Sequence, residues 1–146
     1  MHSGGKTIQL NAGHYQAKIV TVGAGLAELT HHGRHVVIPH KPEEIPMAHL
    51  GKVLIPWPNR VTNGCYSYNG KVFQLAVNDP VSQTAIHGLL AWRDWQINYQ
   101  STTEASLTIF LPPSLRLSLC VDIGSDLSVR CRQWAARIDS YAKHWR

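Results

Sequence analysis

At 146 residues the chain has the length of one domain, and its apolar share of 44% is enough to bury a core. No apolar run approaches the roughly 18 residues that cross a bilayer as a helix, and the opening MHSGGKTIQL lacks the charged-then-apolar pattern of an export signal, so no membrane is expected as a partner. The net charge of +5 divides into +2 over residues 1–114 (eight Lys/Arg, six Asp/Glu) and +3 over residues 115–146 (six and three), which leaves no basic stripe on the body and argues against nucleic acid.

The elements, in chain order, read as strands and turns. In HYQAKIVTVG (14–23), Tyr15, Ala17, Ile19 and Thr21 alternate with Gln16, Lys18, Val20 and Val22, the two-residue period of a strand. LAELTHHGRHVVI (26–38) predicts two short strands across a turn at Gly33. IPWPNRV (55–61) is different, because prolines fix φ and carry no N–H donor. It can be neither a helix interior nor a central strand, and it holds Asn59 and Arg60 at the end of a stiff apolar mount. YSYNGKVFQL (66–75) predicts a β-hairpin, since Asn69-Gly70 accepts the positive φ values of a type I′ turn between aromatic and β-branched residues. WQINYQ (95–100) and ASLTIFL (105–111) form another expected strand pair, closed by Pro112-Pro113. No helical pattern stands out before residue 114, and no repeat has a solenoid period. In the tail, QWAARIDSYAKHW (133–145) has the propensity of a helix. The body is therefore expected to be all-β.

Cys65, Cys120 and Cys131 stand in no CxxC spacing, which argues against a disulfide framework or a zinc site and fits a reducing, cytoplasmic setting. His31, His32, His35 and His40 invite a metal reading. Gly33 turns the chain between them, however, and no carboxylate or cysteine joins them at ligand spacing, so they are expected to be solvated loop histidines. Trp57, set between Pro56 and Pro58, is expected to be a structural plug beside the site. Neither a dinucleotide or phosphate loop nor a GxSxG or HExxH signature is present. His87 lies before Gly88 in TAIHGLLAWRDWQI (84–97), between Ala85-Ile86 and Leu89-Leu90. Taken alone, such a histidine is more often a satisfied core residue than a ligand.

Taken together, IPWPNRVTNGCYSYNGKVFQLAVN, AIHG and WRDWQI resemble the aldose 1-epimerase (galactose mutarotase) family over residues 6 to about 114. GKVLIPWPNR with AIHGLLAWRDW is most similar to the bacterial subgroup that includes the mutarotase of sulfoquinovose catabolism. The resemblance implies an antiparallel β-sandwich of the galactose-mutarotase type, present here as its N-terminal part (1–114), and interconversion of the α and β anomers of a hexose or hexose derivative. It implies a monosaccharide substrate and no metal or organic cofactor, and it leaves the oligomeric state open. Asn59 and Arg60 would donate hydrogen bonds to pyranose hydroxyls, the five donors of the guanidinium fork suiting ordered oxygens. His87 would meet the ring oxygen or anomeric hydroxyl, as an auxiliary to catalysis at most. The alternative for Arg60 is a buried ion pair with a carboxylate. The family's base, a glutamate, and its acid, a second histidine, match no residue of this chain, which makes an impaired enzyme or a noncatalytic sugar-binding module the expectation. Residues 115–146 depart from the family pattern, as a shifted reading frame or a damaged gene copy would, and a product without function is the further alternative.

Overall fold

A computed structural model describes residues 3–110, 124–132 and 135–141, the last two stretches as backbone alone. Every element of regular structure among them is a strand. The expectation of an all-β body holds.

The first sheet is a meander of β1 (Thr7–Ala12), β2 (Tyr15–Val20), β3 (Gly25–His31) and β4 (Arg34–His35), each antiparallel to the last. Alternation explains its faces. Ile8 and Leu10 of β1, Ala17 and Ile19 of β2 and Ala27 and Leu29 of β3 are buried, while Lys18 and Glu28 pair across the opposite side at 2.6 Å. The register shift between Lys18 and Ile19 leaves Ala27 of β3 as an extra residue, and Val20, on the face opposite Ile19, is buried too, so both faces are covered at that end of β2. The turn at Gly33 stands where it was expected, with His31 opposite Arg34 and Thr30 opposite His35.

The second sheet runs β12 (Ala135–Tyr141), β11 (Gly124–Arg132), β10 (Glu104–Phe110) and β9 (Gln96–Gln100), again antiparallel. The β9–β10 pair realises the strand pair read at 95–111, and its expected closure at Pro112-Pro113 lies outside the described residues. The helix expected over 133–145 is corrected: Ala135–Tyr141 is a strand, in register with Asp126–Arg132. Helix propensity differs by only a few tenths of a kcal/mol between most residues, about 1 kcal/mol at the extremes short of proline. A neighbouring strand edge with a full row of N–H and C=O groups outweighs that preference.

Ile8, Leu10, Ala17, Ile19 and Leu29 from the first sheet form one core with Ala105 and Leu107 from the second. Leu90 and Trp95, from the segment ahead of β9, fill the space among them, and Trp95 is only 2% exposed. Its indole N–H is satisfied inside the core by the Leu90 carbonyl at 3.3 Å. Backbone bonds from Gly23 N to Arg93 O (2.8 Å) and from Trp95 N to Thr21 O (3.0 Å) stitch that segment to the end of β2. The 87–95 stretch is thereby fixed relative to both sheets.

Two small ladders complete the described fold. β6 (Cys65–Tyr68) and β7 (Lys71–Gln74) form the expected hairpin, with Asn69 at φ 48° and Gly70 at φ 71°. β5 (Arg60–Thr62) pairs with β8 (Thr84–Ile86), and it begins where the prolines end.

Candidate functional site

The β5–β8 ladder brings Asn59, Arg60 and His87 together. Arg60 lies opposite Ile86, so the next pair outward is Asn59 with His87. Both residues adopt the left-handed backbone, φ 59° and φ 60°, and the two chains part there. Their pairing is unusual in a useful way. The His87 N–H donates to the Asn59 carbonyl at 2.9 Å, as in an antiparallel pair. The return bond runs from the Asn59 N–H to the His87 Nδ1 at 3.0 Å, the imidazole accepting where a carbonyl ordinarily would. A backbone donor aimed at Nδ1 leaves the ring proton on Nε2, so His87 offers an N–H donor to whatever lies beyond it.

The mount is stiff on both sides. Ile55–Pro56 is a cis peptide, and the Leu89 N–H donates to the Ile55 carbonyl at 2.7 Å. Gly88 (φ 72°) lies so close to that segment that a Cβ there would stand 2.1 Å from the Ile55 carbonyl oxygen. Trp57 is half-buried and donates its indole N–H to the Ala85 carbonyl at 3.2 Å, bracing the corner as a plug would. On the other edge of β8, the Asn78 side chain grips the backbone of Ile86, accepting from its N–H at 2.6 Å and donating to its carbonyl at 2.9 Å.

Arg60 is exposed, its side chain at 53%, which corrects the alternative of a buried arginine. It does face a carboxylate, with Nε 3.7 Å from Asp79 Oδ2, and Nη1 reaches Asn59 Oδ1 at 3.5 Å. A pair this open contributes little to stability. The Asp79 carboxyl is held below its ordinary range, first by the Ser82 hydroxyl that donates to it and further by Arg60. It stays ionised near neutrality and is a weak proton acceptor there.

Beyond His87 stands a second group that the sequence pattern does not announce. The His49 ring packs against His87 at 4.5 Å between centroids, and the Trp92 indole N–H donates to His49 Nε2 at 3.1 Å. Lys52 lies behind Trp92, its ammonium 4.3 Å from the ring centroid and bonded to the Val22 carbonyl at 3.1 Å. Burial pushes the Lys52 ammonium below its usual range. Burial first, then His87 and Lys52, lower the His49 imidazole. These contacts join segments about forty residues apart in the chain, which is why no local spacing reveals them.

The four histidines at 31–40 are distributed otherwise. His31 stacks on Tyr15 at 4.3 Å, His32 stacks on His14 at 3.9 Å, and His35 Nδ1 stands 3.7 Å from Glu28. His32 and His35 are exposed, as expected of solvated histidines, whereas His31 and His40 are half-buried. The departure at His31 follows from the Tyr15 ring that covers it. The departure at His40 follows from its backbone bond to the Ala27 carbonyl at 3.0 Å, which pins it against β3.

The described residues thus present a rigid corner of donors, with His87 Nε2–H, the Arg60 guanidinium and the Asn59 amide side by side. Such a corner suits a ligand rich in oxygen acceptors. The family model for aldose 1-epimerase matches residues 6–121. The uncharacterized protein YihR of Escherichia coli (strain K12) is 67% identical over 114 residues, 78% of this chain and 37% of that protein. Among solved structures, a GalM/aldose epimerase homologue from C. elegans is similar with a TM-score of 0.72 at 20% identity, over 88% of this chain and 42% of that one. The galactose 1-epimerase of Lactobacillus acidophilus NCFM has a TM-score of 0.62 at 22% identity, over 82% and 37%. At these identities the structural likeness is one of fold. The chain spans little more than a third of the length of YihR.

Proposed function

Because the chain belongs to the aldose 1-epimerase family, we propose that it binds a hexose or hexose derivative through Asn59, Arg60 and His87. The observation that carries this reading is the mutual bonding of Asn59 and His87, which fixes one imidazole N–H beside a guanidinium on a mount of prolines. Mutarotation needs a base for the proton of the C1 hydroxyl and an acid for the ring oxygen, so that the ring opens, C1 rotates and the ring recloses on its other face. His87, with its proton on Nε2, is suited to donate a hydrogen bond to a sugar oxygen and unsuited to take a proton through Nδ1. Asp79 is too weak a base for the first step. The reading is therefore of a cytoplasmic mutarotase-type sugar site whose turnover is impaired, since neither His87 nor Asp79 is suited to exchange the two protons.

The second reading, a noncatalytic sugar-binding module, is favoured by the same donor-rich corner. Polarimetry on freshly dissolved α-D-glucose and α-D-galactose, beside a binding titration with each, separates them. Saturable binding with at most slight acceleration of anomer equilibration is the expected result. Full acceleration would restore the enzyme reading without impairment, and neither binding nor acceleration would sink both.

A further inference from the structure

We propose that His49, held by Trp92, is a second hydrogen-bonding residue of the same sugar site, completing with His87 a pair of imidazole N–H donors. The inference rests on the reading of Asn59, Arg60 and His87 as a sugar site and extends it to His49, which no sequence motif marks. The two rings lie 4.5 Å apart, close enough for one small ligand to touch both. Each ring has one nitrogen occupied by a fixed donor: Nδ1 of His87 by the Asn59 N–H at 3.0 Å, and Nε2 of His49 by the Trp92 indole at 3.1 Å. An indole N–H can only donate, so His49 Nε2 must accept, and the ring proton of His49 sits on Nδ1. The result is two neutral donors of defined position. A pyranose presents neighbouring oxygens that can each accept a hydrogen bond, which is the chemistry such a pair recognises.

The surroundings keep this arrangement. Trp92 is 50% exposed, yet both its ring face and its N–H are engaged, by Lys52 and by His49. An exposed aromatic anchored twice is a positioned one. The groups facing His49 are the imidazole of His87, the indole of Trp92 and the ammonium of Lys52. A proton added at Nε2 would meet the indole N–H head-on, with a cation nearby. Ligand affinity should therefore fall as the pH drops below the ordinary histidine range, about 6.5.

The test has two arms on the whole chain. Imidazole nitrogen NMR near neutral pH should find His49 as the Nδ1–H tautomer, and Trp92→Phe, which keeps a ring and removes the donor, should shift it toward Nε2–H. An Nε2–H tautomer in the unsubstituted protein would overturn the inference. Titration with D-galactose and D-glucose should then show His49→Ala weakening affinity about fivefold, the loss of one hydrogen bond, with an unchanged denaturant midpoint. Trp92→Phe should cost affinity in the same direction but lose less of it on acidification, because no indole N–H then opposes a proton at Nε2. If His87→Ala abolishes binding while His49→Ala leaves it intact, the inference fails and the sugar site stands. If neither substitution changes binding, the sugar site itself is misplaced and the inference falls with it.

Discussion

Arg60 carries the sharpest expectation at the scale of single residues. Its guanidinium is open to solvent and only loosely faced by Asp79, so its contribution to stability is small. Arg60→Lys keeps the charge and loses the planar fork. Sugar affinity is expected to drop severalfold, about what one or two hydrogen bonds contribute, while the denaturant midpoint stays within error of the parent. Measuring both on one preparation checks this, and a fallen midpoint with intact affinity per folded molecule would make the arginine a structural clamp. Much of this corner is legible in the sequence. Prolines on either side of Trp57 announce a rigid mount, and an Asn-Arg pair at its end is conspicuous for that reason. His49 and Lys52 are not legible in the same way. Their meaning arises only when the loop after β4 and the loop after β8 meet, and local periodicity carries no information about that meeting.

Strands and turns show where local chemistry decides and where it does not. The β6–β7 hairpin was readable because Asn69-Gly70 specifies its own turn, whatever surrounds it. Nothing lies within 4 Å of a Cβ built at Gly70, so Gly70→Ala suffers no clash and only the cost of a left-handed alanine, about 1 kcal/mol. Thermal or denaturant unfolding should show a loss of that size and unchanged sugar affinity, since the hairpin holds none of the proposed ligands. β1 is not legible in the sequence: TIQLNA alternates, with Ile8 and Leu10 inward, but two inward apolar residues are too few to distinguish a strand from a loop. The stretch at 135–141 misled for the opposite reason. Its residues favour a helix by small increments, whereas pairing with β11 is decided by an element that precedes it in the chain.

For the whole molecule the decisive feature is a core shared by both four-stranded sheets. Trp95 sits among Ile8, Leu10 and Ile19 of one and Ala105 and Leu107 of the other, with its polar edge satisfied by Leu90. Removing it would leave a cavity facing both sheets, a loss of about 3–5 kcal/mol. Trp95→Ala should accordingly lower the stability of the sheets together, seen as coincident transitions by circular dichroism and tryptophan fluorescence. Two separate transitions would show that the sheets fold independently. The same core explains how a site made of loops can be rigid: the 87–95 segment is tied to β2 by backbone bonds and plugged into the interior by Leu90 and Trp95.

The tight crossing of Gly88 over the Ile55 carbonyl has a bearing on heredity. Any side chain at position 88 would enter the space of a backbone oxygen, and the left-handed φ adds its own penalty. Substitution there strikes the proline mount and the His87 loop at once, with no flexible neighbour to yield. Codon 88 is therefore a gauge of natural selection on this gene. In a lineage that uses the site, variants at that codon are purged; in a lineage where the gene drifts, they accumulate there as freely as at Gly70. Sequencing the locus across many isolates and comparing those two glycine codons would tell which history the gene has had.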